Sequence, residues 1–116
     1  MKRRDRLSII YYKLLILLLL WSLSGTAVQA ADLSKGEAIF EQYCVGCHVN
    51  GGNIVRRGKT LKQRALKRYG RDTPESIAEL VKYGKNNMSA YGDRLSDEEI
   101  ADVAAYVLDR AANNWR

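Results

Sequence analysis

The chain is poor in the side chains from which most metal and catalytic sites are built. Its 116 residues hold one histidine, one proline, one phenylalanine, two cysteines and two methionines. With so few Cys and His there is no set of four ligands for a structural zinc ion, and with one His there is no second imidazole for a distal catalytic pocket. No segment sustains the apolar-polar alternation of a strand, and no internal repeat is visible. An uninterrupted apolar run of about 18 residues, the length that spans a bilayer, is also missing. Lys13 cuts the longest candidate short.

The scarce residues are not scattered. Three of them fall within Cys44-Val45-Gly46-Cys47-His48, the C-x-x-C-H spacing that suits covalent attachment of a c-type haem. On a helix, rising about 1.5 Å per residue, two cysteines three apart lie on nearly one face and reach the two vinyl groups of one porphyrin edge. His48 follows as the proximal iron ligand. A thioredoxin-like dithiol would need strands and crossover helices, for which no pattern exists here. A structural disulfide between Cys44 and Cys47 is the remaining alternative.

Residues 1–30 begin Met1-Lys2-Arg3-Arg4-Asp5-Arg6, pass through the apolar stretch Leu14 to Trp21 and close on Val28-Gln29-Ala30. A basic start, a short hydrophobic middle and small residues at the cut predict a secretory signal peptide cleaved after Ala30. Asp5 and Arg6 follow Arg3-Arg4 where an early apolar residue would mark twin-arginine export, so the general secretory route is expected. The alternative is an uncleaved anchor. Because c-type haem is joined to its protein on the far side of an energy-transducing membrane, export and haem attachment agree on a periplasm or an equivalent lumen. The predicted mature domain, residues 31–116, has 86 residues, few for a self-sufficient core, and a buried porphyrin makes up the deficit. The formal charge of +6 falls once the leader is removed, because fourteen basic and twelve acidic residues remain. Nucleic-acid binding is not indicated.

Helical periodicity organises the rest. A first helix is expected from Ala31 to Cys47, capped by Asp32 or Ser34, with Phe40, Tyr43, Cys44 and Cys47 at helical intervals. An irregular loop follows from Val49 to Gly58. A second helix is predicted from Thr60 to Tyr69, ended by Gly70, and a third from Asp72-Thr73-Pro74-Glu75 to Gly84, its capping box formed by Asp72 and Glu75. The last opens on the capping box of Ser96 and Glu99, carries the stripe Ile100, Val103, Ala104, Val107 and Leu108, and is expected to be the longest element. The fold class is therefore all-α, a single small domain of four to five helices around one covalently bound haem.

An electron carrier needs a sixth iron ligand, and the candidates are few. Beyond residue 30, Met88 is the only methionine and His48 the only histidine. Met88 lies in the polar stretch Lys85-Asn86-Asn87-Met88-Ser89-Ala90-Tyr91-Gly92, away from any apolar helical stripe; a packing methionine is the alternative. A thioether opposite imidazole raises the reduction potential and fills the position a substrate would need, which disfavours peroxidase or gas-sensing chemistry at an open iron site.

These residues resemble class I cytochromes c, and within them the photosynthetic cytochrome c6 group. The resemblance rests on Gly36 and Phe40 before the haem motif, Gly51-Gly52-Asn53 after it, Lys59-Thr60-Leu61, Gly84-Lys85-Asn86 before Met88, Arg94-Leu95-Ser96-Asp97-Glu98, and Val103, Tyr106 and Val107. It implies first and last helices that cross at Gly36, with Phe40 and Tyr106 at the contact. It also implies a non-enzymatic carrier of single electrons from the cytochrome b6f complex to photosystem I or cytochrome oxidase, with Arg94 matching an arginine used near photosystem I. Two departures from the family pattern stand out. Ser89-Ala90-Tyr91 stands where proline, alanine and phenylalanine are usual, and Leu80 replaces a glutamine beside the haem, which predicts a lower potential.

The run Arg56, Arg57, Lys59, Lys62, Arg64, Lys67, Arg68 and Arg71 contains no acid, whereas the last helix is acidic at its start. Such a charge dipole can orient a carrier toward an acidic partner, or simply be a solvated face. The expectation is a soluble, monomeric carrier with His48 and Met88 on iron. A peroxidase or gas sensor and a membrane-anchored redox subunit are the rivals.

Overall fold

The computed structural model describes residues 3–22, 25 and 29–116. Met1, Lys2 and Val28 of the predicted leader lie outside them. Helix α1 (Arg3–Ser22) buries none of its residues, and no helix among the described residues is long and apolar enough to cross a membrane. The chain then folds as α2 (Leu33–Tyr43), α3 (Val45–His48), a 3-10 turn (Val49–Gly51), α4 (Gln63–Arg68), α5 (Pro74–Tyr83) and α6 (Asp97–Ala112). There is no strand among the described residues, only an isolated pairing of Lys85 with Met88. The all-helical expectation holds.

Several boundaries differ from those expected, each for a local reason. The first helix starts at Leu33, because Asp32 accepts from the amides of Ser34 and Lys35 at 3.0 and 3.1 Å. It then breaks at Cys44 (φ −117°, ψ −34°), so the haem motif occupies a turn of its own. The second helix begins at Gln63 rather than Thr60. Leu61 is committed elsewhere: its amide donates to Gly51 O at 2.8 Å and its carbonyl accepts from Trp115 Nε1 at 3.0 Å, so it cannot join a helical ladder. The third helix is capped by Thr73 with Ser76, not by Asp72 with Glu75. Pro74 at the first helical position forces this, because the cap must immediately precede it. The box of Ser96 and Glu99 forms as expected, at 2.8 and 3.1 Å. Helix α6, with 16 residues, is the longest element after residue 30, as expected.

Helices α2 and α5 both pack on α6. A Cβ at Gly36 would run into the Asp102 carbonyl and lie 2.8 Å from Tyr106 Cβ, so the crossing of α2 over α6 needs glycine there. Phe40 and Tyr106 meet beside it with ring centroids 5.5 Å apart. Phe40, Ile100 and Val103 are almost wholly buried, each worth about 1.5–3 kcal/mol of transfer free energy. Trp115 closes this end. Asn114 and Trp115 take φ of 55° and 58°, a left-handed turn costing roughly 1–2 kcal/mol per residue. The cost is offset by the indole, which lies 5.2 Å from the Phe40 ring and donates to Leu61 O.

Candidate functional site

One cavity of about 300 Å³ opens between α2–α3 on one side and α5 with the following loop on the other. Val103 and Val107 of α6 and Leu66 of α4 contribute buried apolar surface, while Ile77, Leu80 and Val81 line the α5 side. Cys44, Cys47, His48 and Met88, the four residues singled out from the sequence, all line this same cavity. The structure thus brings together side chains up to 44 positions apart.

The histidine is held in one tautomer. His48 Nδ1 lies 2.8 Å from the Gly52 carbonyl, and since a carbonyl only accepts, Nδ1 carries the hydrogen. Nε2 is left with its lone pair free, the state a metal-binding imidazole requires. The loop supplying Gly52 O follows from two residues in the left-handed region: Asn50 (φ 52°) and Gly51 (φ 71°) turn the chain back under the ring. A Cβ at residue 51 would strike the Trp115 indole. Trp115 thereby packs behind the loop that orients His48, a role that sequence reasoning missed, although a tryptophan one residue from the end was visible.

The cysteines are unpaired, Cys44 half-buried and Cys47 exposed. Burial, with a smaller contribution from neighbouring Cys47, pushes the Cys44 thiol up to about 11. That is the reverse of a reactive dithiol, whose thiolate is stabilised. Among the described residues no group of three His, Cys, Asp or Glu could hold a metal ion. A mostly apolar slot with two thiols, a ligand-ready imidazole and a thioether at its rim fits a porphyrin.

Met88 is half-buried and packs against the core. Its segment leaves α5 at Gly84 (φ 68°), where a Cβ would clash with the Met88 carbonyl and Ala90 N. Reciprocal bonds of 3.0 Å join the amides and carbonyls of Lys85 and Met88 around Asn86 (φ 53°). Leu80 lines the cavity rather than packing only within its helix. The Arg94 guanidinium sits over the Tyr91 ring, 4.9 Å from its centroid. Tyr91 itself donates its hydroxyl to Tyr43 O at 3.2 Å, a contact across the cavity that no local pattern announces.

Five helices folded about one apolar slot, with C-x-x-C-H at one wall and a lone methionine at the rim, define a small all-helical cytochrome c. Comparison with known proteins agrees and goes further. The family model for cytochrome c oxidase, cbb3-type, subunit III, matches residues 31–107. The chain is 50% identical over 108 residues to a cytochrome c6-like protein of Nostoc sp. strain PCC 7120, covering 91% of this chain and 97% of that one. The cytochrome c6 structure of the diatom Phaeodactylum tricornutum superposes with a TM-score of 0.72 at 49% identity, over 73% of this chain and all of that one. Cytochrome c6C of Synechococcus sp. PCC 7002 superposes with a TM-score of 0.66 at 58% identity, over 68% of this chain and 96% of that one. The chain belongs to the cytochrome c6 family, whose members carry one covalently bound haem c.

Proposed function

We propose that this chain is a monohaem electron carrier in which Cys44 and Cys47 form the thioether links, and His48 Nε2 and Met88 Sδ are the axial ligands. The observation that carries this reading is the 2.8 Å bond from His48 Nδ1 to Gly52 O, which presents Nε2 to the cavity that Met88 also lines. When bound, the haem supplies a ferric/ferrous couple. The protein's part is to hold an imidazole and a thioether ready, surround the group with apolar side chains and block the sixth position against substrates. Blocking that position favours a carrier over an enzyme.

Residues 1–30 serve in this proposal as a cleaved signal peptide, with the cytochrome c domain at 31–116. The mature protein works as a monomer in the thylakoid lumen or a periplasm, in transient contact with the cytochrome b6f complex and with photosystem I or a terminal oxidase. Leu80 in the cavity wall favours a potential below that of a typical family member, as expected of a divergent paralogue. Mass spectrometry of the exported protein tests the first part: a chain starting at Ala31 plus one haem is expected, and a chain retaining residues 1–30 would indicate an anchored subunit. The ferric spectrum tests the second. A sulfur-to-iron charge-transfer band is expected, whereas a high-spin spectrum would support the open-site alternative. Redox titration decides the route, since a markedly low potential would rule out donation to photosystem I.

A further inference from the structure

The two walls of the cavity are joined unequally. Helices α2 and α5 each lean on α6 and make no extensive contact with one another. The segment from Gly84 to Gly92 is anchored at its far end to its own wall, by Tyr91 N to Val81 O at 2.9 Å and Gly92 N to Lys82 O at 3.1 Å. Between those anchors and the Lys85–Met88 pair, Ser89 and Ala90 are exposed. No proline stiffens the stretch, since Pro74 is the only one in the chain. Among the described residues a single hydrogen bond runs from this segment to the wall that bears the cysteines: Tyr91 Oη to Tyr43 O, 3.2 Å. It lands on the residue directly before Cys44.

The Tyr91 ring is also fixed on two sides. It meets the Tyr43 ring edge-on at 5.9 Å and lies under the Arg94 guanidinium at 4.9 Å. The hydroxyl is therefore delivered by a ring that is already held in place.

We propose that Tyr91 is a positioning residue for Met88: its hydroxyl latches the methionine segment to the cysteine wall and keeps the thioether against iron. The inference rests on the assignment of Met88 as an axial ligand. Without the latch, the segment opens more often and the sixth position becomes available to other ligands. No covalent change is involved.

Imidazole, titrated into the ferric holoprotein, reads the opening directly, because its apparent affinity is the intrinsic one multiplied by the fraction of open molecules. Tyr91→Phe keeps the ring and removes the hydroxyl. One neutral hydrogen bond lost is expected to tighten apparent imidazole binding about fivefold, followed as bleaching of the sulfur-to-iron band. Asp97→Ala is the control. It breaks the 2.7 Å bond between Lys82 Nζ and Asp97 Oδ1, which also ties two elements together but lies outside the cavity lining, and it is expected to leave imidazole binding unchanged. Equal affinity in wild type and Tyr91→Phe, or an equal rise in Asp97→Ala, would overturn the latch while leaving Met88 as ligand. A wild-type protein without the sulfur-to-iron band would instead overturn the ligand assignment itself.

Discussion

Where the wall bearing Cys44, Cys47 and His48 is a short contiguous piece of chain, the facing wall is assembled from α5, a loop and a single bond across the gap. The first wall is closed locally: Cys47 N and His48 N bond back to Cys44 O at 3.2 and 3.0 Å, and His48 Nδ1 reaches a carbonyl only four residues on. The second depends on the Tyr91 hydroxyl, which bridges 48 positions of sequence. Local closure resists opening because few dihedrals need to be fixed to make it; long-range closure adds loop-ordering entropy to the same hydrogen bond. The histidine side is thus the locally closed half of the site, and on the proposed ligation the methionine side is the one from which ligand exchange would start.

The hardest test of this asymmetry removes the covalent half. The double variant Cys44→Ala, Cys47→Ala is expected to yield no haem-containing protein after acid-acetone extraction and no cooperative thermal transition, since the apolar slot between the two walls would then be left without the group that fills it. A stable, coloured double variant would show that the locally closed wall does not depend on its links. Next in size, Met88→Ala is expected to keep its covalent haem but lose the sulfur-to-iron band. Its potential should fall by at least about 120 mV in redox titration, a hundredfold change in the one-electron equilibrium. Trp115→Ala should weaken the histidine side alone. Half-buried behind Gly51 and bonded to Leu61 O, the indole is expected to contribute about 2 kcal/mol, lowering Tm by roughly 10 °C in a domain of this size while leaving the sulfur-to-iron band in place. Loss of the band instead would couple the two walls and break the comparison.

The same division separates what could be read from the sequence. The haem motif, the Ser96 and Glu99 cap, the chain reversal at Gly84 and the meeting of Gly36, Phe40 and Tyr106 with α6 were all legible, because each is short-range or carried by a helical stripe or the family pattern. The break at Cys44, the late start of α4 and the roles of Trp115 and Tyr91 were not. In each of the last three, a group is spent on a tertiary partner far along the chain. Leu61 O accepts from an indole 54 positions away, and no propensity written into residues 60–62 records that. The Thr73 cap was legible in principle, since a proline at the first helical position implies its neighbour as cap.

The smallest expected effect concerns the facing wall's chemistry rather than its closure. Leu80 lines the cavity from α5 with no polar atom to offer, so this position supplies no donor that could favour the reduced, less positive iron. Leu80→Gln places an amide there. One new hydrogen bond of about 1 kcal/mol is expected to raise the potential by roughly 40 mV, read by redox titration of the two proteins side by side. The sulfur-to-iron band should persist in the variant, because Met88 is not displaced. Since the amide acts on the iron's charge and the Tyr91 hydroxyl on the position of the thioether, combining Leu80→Gln with Tyr91→Phe should give the sum of a raised potential and a tightened imidazole affinity. Strong non-additivity would mean that Leu80 also helps hold the segment shut. The weak wall would then have a second latch made of packing, and its opening would depend on α5 as well as on one hydroxyl.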